Sequence, residues 1–173
     1  LRAGIYNRKT PRVYPWLFSF FNAFLLILAL SLVSGCSSTP TATYKVNSVN
    51  YLNPDIYGRA SPVVLTIYQL KSEYAFQQAT YQELIANSAK VLGGDLIDKD
   101  TVEVRPGDAL KVSQPISPNA QYIGIVAAYR DINQATWHKI IKIEQEKGKH
   151  PVLYVTLQSQ GFTVRVEYSR NFL

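Results

Sequence analysis

The only cysteine of this sequence is the residue with the clearest potential for chemistry, because of what precedes it. Cys36 directly follows Leu32, Val33, Ser34 and Gly35, so an apolar residue stands three positions before the thiol and two small residues lie between. Further upstream are an 18-residue, mostly apolar stretch and four basic residues, with no acidic residue before the cysteine. A basic start, an apolar centre and small residues at the end are typical of a secretory signal peptide. A cysteine directly after the small pair is typical of a bacterial lipoprotein signal.

The thiol of Cys36 is expected to form a thioether with a diacylglycerol before the signal peptide, residues 1–35, is removed. Cys36 would then be the first residue of the mature chain and carry an N-acyl and an S-diacylglycerol lipid, and we expect no other cofactor. The alternative is that residues 16–33 form a transmembrane helix, because their number is just enough to span a bilayer. The small residues placed directly before the only cysteine favour the lipoprotein signal.

Removal of the signal peptide changes what the composition implies. The whole chain of 173 residues has 18 basic and 12 acidic ones, but four of the basic and none of the acidic residues precede Cys36. The 138 residues that remain therefore carry a net charge of about +2 rather than +6, and they fit one domain with a hydrophobic core. They contain no basic patch interleaved with aromatic residues, which argues against nucleic-acid binding. With its cysteine acylated, the mature chain can form no disulfide.

The residues that usually carry catalysis or bind metals show no recognisable arrangement. His138 falls in a predicted strand and His150 in a charged segment, and neither has a second ligand at a metal-binding spacing. Asp95, Asp98 and Asp100 lack the glycine and the glutamate that a calcium-binding loop requires at its sixth and twelfth positions. No serine lies in a nucleophile-elbow motif. We therefore predict a binding or scaffolding protein, with no catalytic, cofactor-binding or metal site.

The mature chain is predicted to begin with a lipidated tether, residues 36–43, which is rich in Ser and Thr. Over residues 44–173 apolar residues recur mainly at every second position, and this period predicts strands. The nearly continuous apolar run at residues 122–129 is typical of a central strand, and the Arg-Pro-Gly-Asp run at 105–108 favours a type II turn. The predicted strands cover residues 44–52, 62–70, 101–104, 110–112, 122–129, 137–143, 153–157 and 162–168.

One interval breaks this pattern. Residues 71–92 contain helix formers and no Gly or Pro, and the Thr-Tyr-Gln-Glu run at 80–83 fits a capping box at a helix start. Tyr81, Leu84 and Ile85 would share one face of that helix, which a Gly-Gly pair would end. The expected fold is therefore mainly β, a two-sheet sandwich with a helical insertion after the second strand.

Several segments of the mature chain, taken in order, are similar to one family. They are Leu52-Asn53-Pro54-Asp55, Gly58-Arg59-Ala60-Ser61-Pro62-Val63-Val64, Ile67-Tyr68-Gln69-Leu70 followed by Phe76, Leu92-Gly93-Gly94-Asp95-Leu96, Val104-Arg105-Pro106-Gly107, the run from Tyr122 to Asp131, and Trp137. No single segment is diagnostic, but the ordered set behind a lipoprotein signal is specific. From about residue 50 to residue 143, the sequence resembles the outer-membrane lipoprotein of the type VI secretion system, the TssJ (SciN) family.

The resemblance implies a transthyretin-like β-sandwich without catalytic activity. It implies a lipid anchor in the inner leaflet of the outer membrane and a domain that faces the periplasm. The expected partner is the periplasmic C-terminal domain of the IcmF-like inner-membrane protein TssM. Together with a second inner-membrane protein, these form the trans-envelope complex on which a contractile injection apparatus docks. Ser37 follows the lipidated cysteine, and the absence of aspartate there predicts transport to the outer membrane.

The resemblance also assigns the loop between the first two strands to partner contact. The predicted partner-binding residues are Asn53, Pro54, Asp55, Ile56, Tyr57, Gly58, Arg59, Ala60 and Ser61. The chemistry of the loop suits this role, because Ile56 and Tyr57 are apolar residues in a loop otherwise held by Pro and Gly, and Tyr is enriched at interface hot spots. The alternative is that Ile56 and Tyr57 fold back onto the sandwich while Pro54 and Asp55 merely turn the chain.

Other recurring segments receive no functional role. Arg130 and Asp131 are interpreted as a strand end or a local ion pair, and Trp137 as core or sheet-edge packing. A second hypothesis for the whole chain is a periplasm-facing lipoprotein that binds a small ligand or peptidoglycan. It would need polar groups that converge in a pocket, and the alternating apolar strands show no such cluster.

Overall fold

The structure, a computed structural model, describes residues 40–144 and 148–170, so the predicted signal peptide and the first half of the predicted tether, residues 36–39, lie outside it. The described residues form eight strands, two helices and a 3-10 turn. In chain order these are β1 (Thr41–Ser48), β2 (Val63–Leu70), α1 (Tyr74–Gln78), α2 (Tyr81–Leu92), the 3-10 turn (Gly93–Asp95), β3 (Leu96–Val104), β4 (Ala109–Pro115), β5 (Tyr122–Ala127), β6 (His138–Lys142), β7 (Lys149–Gln158) and β8 (Gly161–Arg170). Within this part of the chain, no helix is long and apolar enough to cross a membrane.

The strands form two four-stranded sheets. Sheet 1 has the order β4-β1-β7-β8, and sheet 2 has the order β3-β2-β5-β6. The strands β1 and β7 run parallel, and every other neighbouring pair is antiparallel. Both helices follow β2, which confirms the predicted mainly β, two-sheet sandwich with a helical insertion after the second strand.

The core lies between the sheets because each strand turns alternate residues inward. In sheet 1, Tyr44 of β1 pairs with Leu153 of β7, and both are buried. In sheet 2, Ile67 of β2 pairs with Ile125 of β5 in the same core. The predicted central strand is confirmed, because β5 lies between β2 and β6 and is buried on both faces.

The helices cover the outer face of sheet 2 and form a second, smaller hydrophobic cluster. Phe76 of α1 is fully buried, and its ring packs edge-on against Tyr68 of β2 with ring centroids 5.5 Å apart. The ring lies directly over Gly124 of β5, where a Cβ atom would come within 2.7 Å of ring carbons. A glycine in the central strand therefore leaves room for the aromatic ring that fixes the helical insertion.

Several predicted strand boundaries were wrong, and the largest shifts are in β1, β3 and β7. β3 begins at Leu96 rather than at residue 101. β1 begins at Thr41 rather than at residue 44, and it ends at Ser48 rather than at residue 52. The segment at 41–43, predicted to be tether, is strand because it pairs with β4 on one side and, from Thr43 onward, with β7 on the other. β7 begins at Lys149 because its first residues pair with the end of β8, so His150 lies in a strand and not in a charged loop.

The helical interval was only partly predicted. It is broken into two helices at Ala79, which is extended. The capping box is confirmed, because Thr80 Oγ1 accepts a bond from the Glu83 N–H while the Glu83 carboxylate accepts one from the Thr80 N–H. Of the three residues predicted to share one face, Leu84 is buried but Ile85 is 47% exposed, because the buried stripe of α2 runs through Leu84, Ser88 and Leu92, at every fourth residue.

Candidate partner-binding site

The loop of residues 53–61 connects the β1 side of the sandwich to β2, and its first residue is fixed by three contacts. Asn53 is buried and has a φ of 45°, a conformation that asparagine tolerates better than most residues. Its side chain donates to the Pro62 carbonyl over 3.0 Å and accepts from the Arg130 N–H over 2.9 Å. Its own N–H donates to the Ser159 carbonyl. Asn53 thus joins three connecting segments at one end of the sandwich.

The centre of the loop is organised by the carboxylate of Asp55. One carboxylate oxygen accepts from the N–H groups of Tyr57 and Arg59, each over 2.9 Å. The other oxygen accepts from the Arg59 guanidinium, with Nη2 at 2.7 Å. Hydrogen bonds from the Arg59 backbone and side chain hold the pKa of the Asp55 carboxyl below its usual range. Gly58, with a φ of 77°, completes the turn and donates to the Asp55 carbonyl.

The tip of the loop presents two apolar side chains to solvent. Ile56 is 91% exposed and Tyr57 is 76% exposed. The guanidinium of Arg59 lies 5.3 Å from the centre of the Tyr57 ring, within cation–π range. The alternative in which Ile56 and Tyr57 fold back onto the sandwich is therefore wrong. Asp55 turns the chain, as the alternative predicted, and its carboxylate in addition holds the loop together.

Two other connections border the loop and form a cleft of about 760 Å³ with it. The β5–β6 connection contributes Arg130 and Asp131, and the β7–β8 turn contributes Gln160. The positive charge of Arg130 also helps to lower the pKa of Asp55. None of these three residues was predicted to belong to the site. Arg130 is brought to the loop by the bond from its N–H to the Asn53 side chain. These two residues lie 77 positions apart, so no local sequence pattern predicts that bond.

The neighbouring connections are fixed to the sandwich by Tyr129. Its hydroxyl bonds to the carbonyls of Gln158 and Gly161, at the two ends of the β7–β8 turn. Burial raises the pKa of Tyr129 to about 12, so the hydroxyl keeps its proton at physiological pH. An isolated parallel β-bridge between Thr136 and Gly161 joins the β5–β6 connection to the same turn. The cleft is therefore bordered by connections held by hydrogen bonds.

The remaining predicted residues lie away from this cleft. The His138 ring lies beside Trp137 with ring centroids 4.0 Å apart, and its centroid is 6.2 Å from that of Phe76. Trp137 therefore has the packing role that was predicted for it. Burial lowers the pKa of His138. The turn at residues 105–108 is confirmed by a φ of 80° at Gly107 and a bond from the Asp108 N–H to the Arg105 carbonyl. Cys36 lies outside the described residues.

No group of three or more metal-ligating side chains occurs among residues 40–144 and 148–170. The same part of the chain has no buried side-chain nitrogen or oxygen atom that lacks a hydrogen-bond partner. The site consists instead of exposed apolar side chains, two arginines and two acidic residues, of which Asp55 is paired with Arg59. Such an arrangement suits the binding of a protein surface.

Comparisons with known proteins bear on the family and the fold of this chain. Residues 40–168 match the family of type VI secretion lipoproteins that includes VasD, EvfM and TssJ. The type VI secretion lipoprotein TssJ1 of Pseudomonas aeruginosa is 30% identical in a match that covers 76% of this chain and 99% of that one, with a TM-score of 0.71. Lip of Serratia marcescens, a membrane-bound component of the type VI secretion system, is 18% identical over 76% of this chain and 100% of its own, with a TM-score of 0.68, which shows a shared fold. No curated protein sequence matches the chain.

A further similar chain belongs to a solved structure described as the C-terminal domain of the type VI secretion protein TssM from EAEC. It is 26% identical, and the match covers 73% of this chain and 98% of that one with a TM-score of 0.59. The family itself is a structural lipoprotein component and not an enzyme, which confirms the prediction of a non-catalytic protein. The family match spans more than half of the sequence and both sheets. The chain therefore belongs to the type VI secretion lipoprotein family.

Proposed function

We propose that this protein is the outer-membrane lipoprotein of a type VI secretion trans-envelope complex and binds the periplasmic C-terminal domain of TssM. The lipid on Cys36 inserts into the inner leaflet of the outer membrane, and the domain faces the periplasm. The solvent-accessible part of the loop, residues 54–60, is the contact surface, and the buried Asn53 and Ser61 hold its two ends. The protein acts as a structural connection between membrane and partner.

One observation carries this proposal, the exposure of two adjacent apolar side chains on a loop that is already ordered. Ile56 and Tyr57 would gain the most from burial against a partner, because both are almost fully solvated. A mobile loop would lose conformational freedom on binding, at a cost of about 0.5–1.5 kcal/mol for each side chain that becomes fixed. The bonds to Asp55 fix the backbone of the tip in advance, which reduces that cost.

The charges around the tip indicate what the partner surface should offer. Arg59 and Arg130 line the same cleft as Ile56 and Tyr57. Arg59 is paired with Asp55, but its guanidinium remains largely exposed and can bind a second acceptor. A partner segment with an apolar side chain beside a carboxylate would match both features of the cleft.

Two further observations support the anchor and the partner. The family consists of lipoproteins, and Cys36 stands at the position where a lipoprotein signal would place its acylated cysteine. Ser37 rather than aspartate follows it, in agreement with sorting to the outer membrane. One similar chain comes from a solved structure of a TssM C-terminal domain, which favours TssM as the partner.

Titration calorimetry would test the proposal directly. The domain of residues 37–173 would be titrated with the periplasmic C-terminal domain of TssM from the same genome. We expect saturable one-to-one binding for the wild type and a loss of at least about 30-fold in affinity for Tyr57→Asp, because a buried tyrosine anchor contributes about 2 kcal/mol or more. Tyr74→Asp is the matched control, since Tyr74 of α1 is 72% exposed and distant in sequence from the loop.

The two variants separate the possible results. Equal weakening by both substitutions would indicate a general effect of the added charge and would contradict the loop as the contact surface. Unchanged binding by Tyr57→Asp alone would place the contact elsewhere. Failure of the wild-type domain to bind a well-folded TssM domain would refute the proposed partner.

A further inference from the structure

The outer face of sheet 1 carries a row of large polar side chains, one from each strand. Lys111 of β4 pairs with Lys45 of β1, Lys45 pairs with Tyr154 of β7, and Tyr154 pairs with Arg165 of β8. These four residues, here called the cationic row, all point away from the core, because their neighbours along each strand point inward. Three of the four are positively charged.

The tyrosine at the centre of the row holds two of the cations. Lys45 Nζ lies 4.8 Å from the centre of the Tyr154 ring and donates to its hydroxyl over 3.3 Å. The Arg165 guanidinium lies 4.5 Å from the same ring centre. These contacts fix the positions of both charges on the surface. An aromatic ring with a polar tip, flanked by cations, is typical of residues at a membrane interface.

Negative charge on this face is sparse. Glu167 is the one acidic residue on the outward positions of the four strands as described, and it is already paired with Arg165. Neither Lys45 nor Lys111 is paired with a carboxylate in the described part of the chain. The face therefore has a net positive charge. By contrast, the exposed positions of β3, in sheet 2, include Asp98, Asp100 and Glu103.

The position of the row relative to the start of the domain limits how far it can lie from the lipid. Thr41 lies five positions after Cys36, so a fully extended connection spans at most about 18 Å. The row lies four residues into β1, roughly 13 Å from Thr41 along the strand. A depression of about 270 Å³ extends from Thr41 to the cationic row, and its lining includes Thr43, Lys45, Lys111 and His150.

We propose that the outer face of sheet 1 lies against anionic phospholipid headgroups, with the cationic row in contact with their phosphates. The inference rests on the proposed lipid anchor at Cys36, which keeps the face next to the bilayer. Each cation near an anionic membrane surface strengthens binding roughly fivefold, so three cations are too few to anchor a free protein but enough to orient one that is already anchored. The cationic row thus sets which side of the domain faces the membrane.

Headgroup quenching in vesicles tests this orientation on the whole lipidated protein. Acylation consumes the native thiol, so a single introduced cysteine can be labelled with a fluorophore. Ser113→Cys places the label on the outer face of β4, beside Lys111, and Gln78→Cys places it on α1, on the outer side of sheet 2. Vesicles would contain a nitroxide-labelled headgroup lipid and either zwitterionic lipid alone or zwitterionic and anionic lipid together.

We expect several-fold stronger quenching at residue 113 than at residue 78 in anionic vesicles, and a much smaller difference in zwitterionic vesicles. The difference should disappear in 1 M salt, where the screening length falls to about 3 Å. It should also disappear in the variant K45Q/K111Q/R165Q. The control variant K90Q/K139Q/K142Q has the same net charge but loses its cations from α2 and β6, and it should retain the difference.

Flotation of the same vesicles separates the two proposals. If the protein does not float with the vesicles, the lipid anchor is refuted, and so is the orientation that depends on it. Protein that floats but shows equal quenching at residues 113 and 78 refutes only the orientation. Equal loss of the difference in both triple variants also contradicts it, because net charge rather than the cationic row would then be responsible.

Discussion

Replacing Gly124 by alanine is expected to destabilise the domain, although alanine usually stabilises a strand relative to glycine. A Cβ atom at this position would lie 2.7 Å from Cε2 and Cζ of Phe76, closer than real Cβ contacts allow. The Phe76 ring cannot move away freely, because it is fully buried and packs against Tyr68 and His138. The clash therefore has to be relieved by a shift of α1 or by a strained rotamer of Phe76.

The magnitude follows from two opposing effects. Overpacking of a well-packed core costs about 1–3 kcal/mol. The lower conformational entropy of alanine in the unfolded chain returns about 0.4–1 kcal/mol. The clash therefore exceeds the entropy gain, and we expect a net loss of up to about 2.5 kcal/mol. In a domain of this size, each kcal/mol corresponds to a fall in Tm of about 4 °C.

A double-mutant cycle identifies the cause. Phe76→Leu removes the ring atoms that the new Cβ would meet, so Gly124→Ala should cost less in the Phe76→Leu background, with a coupling energy of about 0.5–3 kcal/mol. Urea unfolding of the four proteins would measure it. Gly94→Ala is the matched control, because a Cβ there meets no atom within 4 Å and φ is not positive. Additive effects in the cycle, or a Gly124→Ala domain as stable as the wild type, would refute the reasoning.

Three further perturbations test other parts of the structure. Thr80→Ala removes the side chain that caps α2 and should lower the free energy of unfolding by about 1 kcal/mol in urea titrations. Thr80→Ser keeps a capping hydroxyl and should retain most of the wild-type stability. Folding lowers the pKa of His138, so the folded domain favours the neutral imidazole. The domain should therefore lose stability as the pH falls below 6.5, the pKa of the unfolded chain. His138→Gln should make Tm less dependent on pH below 6.5. Tyr129→Phe leaves the carbonyls at the β7–β8 turn without their donor, and calorimetry should show weaker TssM binding together with about 1–2 kcal/mol lower stability. Unchanged values in any of these measurements would contradict the corresponding contact.

The parts of the fold that were predicted correctly have strong local signals. The β-branched and apolar run of β2, the alternation in the β7–β8 hairpin and the capping box at Thr80 all depend on residues close together in sequence. The start of β1 has no such signal, because Thr41 and Thr43 do not alternate with large apolar residues. Both threonines become strand because they pair with β4, and Thr43 pairs with β7 as well; Ser113 and Val152, the partners of Thr43, lie 70 and 109 positions further along the chain.

The candidate site also has residues that the sequence predicts and residues that only the folded structure identifies. Ile56 and Tyr57 could be chosen from the sequence because apolar residues in a Pro- and Gly-containing loop are unusual, and the structure shows both to be exposed. Arg130, Asp131 and Gln160 could not be chosen, because only the folded chain brings their connections next to this loop. The role of Asp55 also depends on three-dimensional geometry, since Asp-Ile-Tyr-Gly-Arg does not by itself specify which donors its carboxylate accepts.

The path of β1 has a mechanical consequence. If tension acts between the anchor at Cys36 and the loop at residues 53–61, the polypeptide between them carries the load, and half of that polypeptide is β1. A strand already rises about 3.3 Å per residue, close to the 3.3–3.6 Å that a fully stretched chain can reach. Pulling β1 out of its sheet would therefore lengthen the connection very little, so the applied force could do almost no work to unfold it. The rest of the sandwich would lie outside the loaded segment, and the protein would behave as an almost inextensible link.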